Sequence, residues 1–142
     1  MLVLQFKAGK LDKPERWKAL IMYTSKLIKP VNSLIFISDR AGGEIPAWQK
    51  DKQILWTNSC ISVLCYPEQD GPTEIILGTG REIDPGFRAR FDGMLEIPNC
   101  TVTVQNVTHE SLLSMEVAEQ IVRVRIWVNH PRWANKIVIG VG

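Results

Sequence analysis

Between Ile121 and Val128 the chain changes chemistry at every residue. Val122, Val124, Ile126 and Val128 fall on one face, and Arg123, Arg125 and Trp127 fall on the other. A two-residue period is that of a strand with one face buried and the other in water. The same texture recurs at 59–66, 72–77, 101–107 and 136–141, with Gly, Pro and Asn between the runs. The segment 87–92 also alternates, placing Phe87, Ala89 and Phe91 opposite Arg88, Arg90 and Asp92. Short strands joined by turns predict an antiparallel sandwich or barrel. A parallel sheet would need long crossovers, usually helices, between its strands.

One helix is predicted. Trp17, Leu20, Ile21, Thr24, Leu27 and Ile28 recur at helical spacing after Asp12 and Pro14, so 13–28 reads as an amphipathic helix closed by Pro30. The fold class is therefore mainly β, an antiparallel β-sandwich or barrel with one amphipathic helix near the N-terminus. The segment 67–71 is a turn that returns 72–77 as the partner of 59–66. Residues 136–141, with Ile137, Val138, Ile139 and Val141, carry little charge and read as an edge strand through which a homo-oligomer could form.

The 142 residues suit a single domain, 1–142, and 45% hydrophobic with 23% charged residues excludes a disordered chain. No apolar run approaches the roughly 20 residues of a membrane helix. No basic segment precedes an apolar one at the N-terminus, so a secretory signal is not expected. Three cysteines, Cys60, Cys65 and Cys100, form no paired-ligand spacing, and their odd number opposes a disulfide framework. These features predict reduced thiols and a cytoplasmic location.

The net charge of +2 conceals two halves. Residues 1–52 hold ten Lys and Arg against five Asp and Glu, whereas the β-rich part, 53–142, holds seven against ten. Glu68, Asp70, Glu74, Glu82, Asp84, Asp92 and Glu96 crowd one stretch and predict a cationic partner. The N-terminal lysines read as a solvated face, so nucleic acid is not the expected partner.

Local motifs for catalysis are missing. There is no GxSxG elbow around a serine, and Gly78-Thr79-Gly80-Arg81 lacks the Gly-Lys-Ser/Thr ending of a phosphate loop. Neither His109 nor His130 stands at a metal-ligand spacing. No catalytic residue, metal or cofactor is assigned. The richest connection is His130-Pro131-Arg132-Trp133, which places a titratable ring, a cation and an aromatic on one short loop. Arg and Trp are prominent at binding hot spots. The candidate partner-binding residues are therefore His130, Arg132 and Trp133, with Glu68, Asp70, Glu82 and Asp84 for charge. Two other readings stay open. One is a small enzyme with a site assembled from scattered residues such as Asp39, His109 and His130. The other is an oligomeric structural or small-molecule-binding β protein.

The order Pro46-Ala47-Trp48, Ile61-Ser62-Val63, a strand at 73–77, a run at 87–95 and a last strand at 124–127 resembles the competence-protein-J nuclease inhibitors. The resemblance covers 45–142 and is one of hydrophobic pattern. It implies a β-sandwich that binds and inhibits a nuclease, and it carries no individual functional residue across. The expected function is a non-enzymatic protein-binding module, an inhibitor or immunity protein that neutralises a basic nuclease or toxin.

Overall fold

A computed structural model of the chain describes residues 2–6 and 20–142. Two sheets account for eleven strands among the described residues. The first runs in the order β1 (Leu2–Phe6), β2 (Leu20–Ile28), β6 (Thr73–Thr79), β11 (Lys136–Val141), β10 (Ile121–Val128) and β7 (Phe91–Glu96). The second runs β4 (Ile54–Trp56), β5 (Cys60–Leu64), β3 (Leu34–Asp39), β8 (Thr101–Asn106) and β9 (Ser111–Glu116). The core lies between them. Val122, Val124 and Ile126 of β10 join Ile75, Leu77, Ile137 and Ile139 of the same sheet. The opposing sheet contributes Ile35, Ile37, Ile61, Val63, Val102 and Val104. Every one of these side chains is at least nine-tenths buried. A sandwich of two antiparallel-rich sheets is thus what the alternation encodes, and among the described residues no helix is long and apolar enough to cross a membrane.

The predicted helix is not there over 20–28. That stretch is β2, paired on one side with β1 and on the other with β6, from Tyr23 opposite Gly78 to Ile28 opposite Thr73. Residues 13–19 of the predicted helix lie outside the described residues. Tyr23, Thr24 and Ile28 are strand-favouring types, and two flanking strands supply hydrogen bonds that local propensity cannot outweigh. Leu27, placed on the buried face by the helical reading, is 66% exposed.

The strand 136–141 is not an edge. β11 lies between β6 and β10, and Ile137, Ile139 and Val141 are buried. Its lack of charge reflects an interior position, and it offers no free edge for a second copy of the chain. Its pairing with β6 is parallel, with the whole of 80–135 as the crossover. The segments 59–66 and 72–77 are not partners either, because β5 and β6 belong to different sheets. The connection between them carries the chain across the sandwich.

The alternation at 87–92 also misleads in part. β7 begins only at Phe91, and the preceding segment lies over the outer face of β10. The Trp127 indole N–H donates to the carbonyl of Phe87 at 2.8 Å, and the Arg90 N–H donates to the carbonyl of Ile126 at 2.7 Å. Trp127 therefore faces away from the core and is still buried, 2% exposed. Between β6 and this segment the chain makes one helical turn, Gly80–Ile83.

Candidate functional site

The loop between β10 and β11 is held by its own side chains. His130 Nδ1 accepts the N–H groups of Arg132 at 3.1 Å and Trp133 at 2.8 Å. Asn129 Oδ1 accepts the N–H groups of Asn135 and Lys136, both at 3.1 Å. Its base is tied to the second sheet, where the Tyr66 N–H donates to the carbonyl of Ala134 and Gln53 Nε2 donates to the carbonyl of His130 at 2.7 Å. A loop fixed this firmly presents its side chains in one arrangement. The Arg132 guanidinium lies over the Trp133 ring, 5.1 Å from its centroid, and 3.6 Å from a carboxylate oxygen of Asp51. A guanidinium stacked on a ring keeps its donors ordered while both groups stay accessible.

Trp133 is 39% exposed and shares a groove of about 510 Å³ with Trp48, which is 74% exposed, and with Lys50, Lys52 and Leu64. Pro131 closes that groove and also borders a second one, of about 590 Å³, lined by His130 and by Phe87 to Arg90. Arg88 and Arg90 then border a third, of about 620 Å³, shared with Trp56, Phe91 and Met94. One continuous surface results, running over the loop and down the open side of the sandwich where β4 and β7 meet. Trp56 touches Phe91 there edge to face, with ring centroids 5.1 Å apart.

The sequence singles out Arg132, Trp133 and His130, and the surface around them also holds Trp48, Trp56, Phe87, Arg88 and Arg90. Trp48 is legible in principle: it stands in a loop that follows Gly42, Gly43 and Pro46, outside any alternating run. Phe87 is not, because the alternation of 87–92 groups it with Ala89 and Phe91 on one side of a strand.

The acidic residues do not form one face. Glu68 and Asp70 precede β6, at the end of the sandwich where Tyr66 meets Ala134 of the loop. Glu82 and Asp84 follow β6, so the seven residues of that strand, about 20 Å, separate the two pairs. Part of the charge is also compensated. Asp84 pairs with Arg125 at 3.3 Å, Asp92 with Arg123 at 2.6 Å, and Glu74 with Lys136 at 4.0 Å. The Arg123 guanidinium, bonding both Asp92 oxygens, holds that carboxyl below its ordinary range.

The residues of a scattered active site do not meet. Asp39 is fully buried at the end of β3 remote from Ser33, the residue that contacts Cys65 beside the loop. His109 follows β8, with β3 and β5 between it and β4. Among the described residues no group of His, Cys, Asp and Glu converges as a metal ion would require. Burial pushes the Cys60 thiol up to about 11 and the Cys65 thiol up to about 12, so neither is poised as a nucleophile at neutral pH.

No protein-family model matches the chain, and no curated protein matches it. Among solved structures, the fold is similar to that of ComJ from Bacillus subtilis, described as an inhibitor of the DNA-degrading activity of NucA. The TM-score is 0.62 over 83% of this chain and 93% of the other, at 8% sequence identity. The two chains share a fold.

Proposed function

We propose that this chain is a protein-binding inhibitor, and that its target is a nuclease. One observation carries the binding role: Trp48, Trp56, Phe87 and Trp133 are all substantially exposed and lie on one continuous surface interleaved with arginines. Soluble chains rarely leave so much aromatic surface in water unless it is an interface. Tryptophan and arginine around grooves are the groups that anchor protein partners. The shared fold with a nuclease inhibitor supports the choice of target. Stoichiometric occlusion of the nuclease by a pre-ordered surface is the mechanism: Trp133 and Trp48 fill pockets of the partner, and Arg132, stacked and oriented, bonds its polar groups.

The test begins with the immobilised chain in an extract of its own source cells. The eluate is assayed for DNA cleavage, and the captured nuclease is then titrated with free chain. The expected result is cleavage that falls to zero at a fixed molar ratio. Replacing either Trp48 or Trp133 with Ala should weaken binding by about 2 kcal/mol. An eluate free of nuclease, or a captured nuclease that remains fully active, would sink the proposal.

A further inference from the structure

The edge of β7 lies beside this surface. Among the described residues, β7 has β10 on one side and no strand on the other. Its register fixes which groups are free. The Ile97 N–H donates to the carbonyl of Gln120, and antiparallel alternation from that pair turns the main-chain groups of Leu95, Gly93 and Phe91 toward β10. The N–H and C=O groups of Asp92 and Met94 consequently point away from the sheet.

The molecule already uses this edge once. The Glu96 N–H, facing the same way, donates to the carbonyl of Asn58 at 2.8 Å. Pairing stops there, and the room beside Asp92 and Met94 is the groove of about 620 Å³ walled by Trp56, Thr57 and Asn58. Met94 and Trp56, 59% and 60% exposed, offer apolar contacts on its two sides. The Asp92 side chain does not guard the edge, because both its oxygens are bonded by Arg123 across the strand pair.

Charge identifies the occupant. Ion pairs among the described residues engage Arg123, Arg125, Arg132 and Lys136, and none engages Arg88 or Arg90. Both are exposed and both line the groove. An edge strand supplies main-chain affinity, and neighbouring side chains supply the choice of sequence.

We infer that β7 takes an extended segment of the partner protein as an added strand, with acidic side chains of that segment held by Arg88 and Arg90. The inference rests on the protein-binding role proposed above and is independent of whether the partner is a nuclease. The added strand pairs with Asp92 and Met94, and its apolar side chains alternate onto Trp56 and Met94.

A displayed library of random short peptides, panned against the full chain, tests this. Enriched peptides should combine acidic residues with apolar ones, and on binding they should protect the Asp92 and Met94 amides from hydrogen exchange. Arg88→Glu with Arg90→Glu should weaken them by about tenfold or more. Met94→Pro should do the same, since it removes an outward N–H that β10 does not use and Pro is tolerated at such edge positions. Thermal melts verify that both variants fold. Enriched peptides without acidic residues, unprotected Asp92 and Met94 amides, or affinity unchanged in the folded variants would each overturn the inference. So would binding of a single-stranded oligonucleotide in place of peptides. A Met94→Pro chain that still captures and inhibits nuclease while losing the peptides would confine the inference to a site apart from inhibition. Acidic peptides bound at β7 without any nuclease captured would remove the nuclease and leave the edge site standing.

Discussion

Among the described residues, Asp39 is the most deeply buried charge. It is fully buried, and burial by itself would raise its pKa. The Asn99 side chain at 2.6 Å, the Ala41 N–H at 2.9 Å and the Asn99 N–H at 2.8 Å outweigh that cost, and the carboxyl titrates below its ordinary 3.8. Asp39 thereby fastens the end of β3 to the turn before β8. Its stabilisation is complete above its unfolded pKa and is lost as pH falls through the lower, folded pKa. Asp39→Asn should cost about 1.5–3 kcal/mol at neutral pH, because one acceptor becomes a donor facing the Asn99 amide. Urea midpoints measured across acidic pH should show the gap between the two proteins closing below about pH 4. A gap of constant size would mean that Asp39 is not the acid-sensitive clasp. The thiols give a second check at this scale. Cys60 and Cys65 are buried with raised pKa values, and Cys100 is partly accessible. One thiol per folded chain should react rapidly with a maleimide, and all three should react in denaturant.

Individual strands show what the sequence makes legible and what it hides. β10 was readable because its inner face meets one apolar layer and its register is fixed by that burial. Trp127 broke the simple inside–outside rule, since its cover comes from 84–90, a segment distant in sequence. β2 was hidden for a different reason. Residues at 20, 21, 24, 27 and 28 satisfy a helical period, and only the presence of β6 and β1 on either side decides for a strand. β11 reads as an edge from its sequence because an interior strand and an unguarded edge look alike in composition. The Gly140 position follows from the same cover. A Cβ built there would lie 2.7 Å from the Gly80 Cα and 2.9 Å from the Trp127 ring. The helical turn at Gly80–Ile83 and the indole both press against β11 because position 140 lacks a side chain. Gly140→Ala should therefore destabilise the fold by about 1–3 kcal/mol by overpacking, read as a lower midpoint in thermal unfolding. An unchanged midpoint would show that the turn can lift off at little cost.

At the scale of the whole molecule, three-dimensional placement reorganises the charge pattern that the sequence displays. Seven carboxylates crowd 68–96, and linear reading joins them into one steering patch. The fold sends Glu68 and Asp70 to the loop end and Glu82 and Asp84 to the other, while ion pairs absorb Glu74, Asp84 and Asp92. The anchor surface, by contrast, gathers residues as far apart as Trp48, Phe87 and Trp133, which no local pattern joins. Long-range steering depends on charge near the docking surface and is screened within a Debye length of about 8 Å at physiological salt. If a basic target docks at the loop, Glu68→Lys with Asp70→Lys should slow association, whereas Glu82→Lys, remote from the loop and in no ion pair among the described residues, should leave it unchanged. Stopped-flow association with the captured target would measure both, and added salt should shrink the first effect. Equal slowing by the two variants would mean that the acidic stretch acts as one field after all, and that docking is not centred on Arg132 and Trp133.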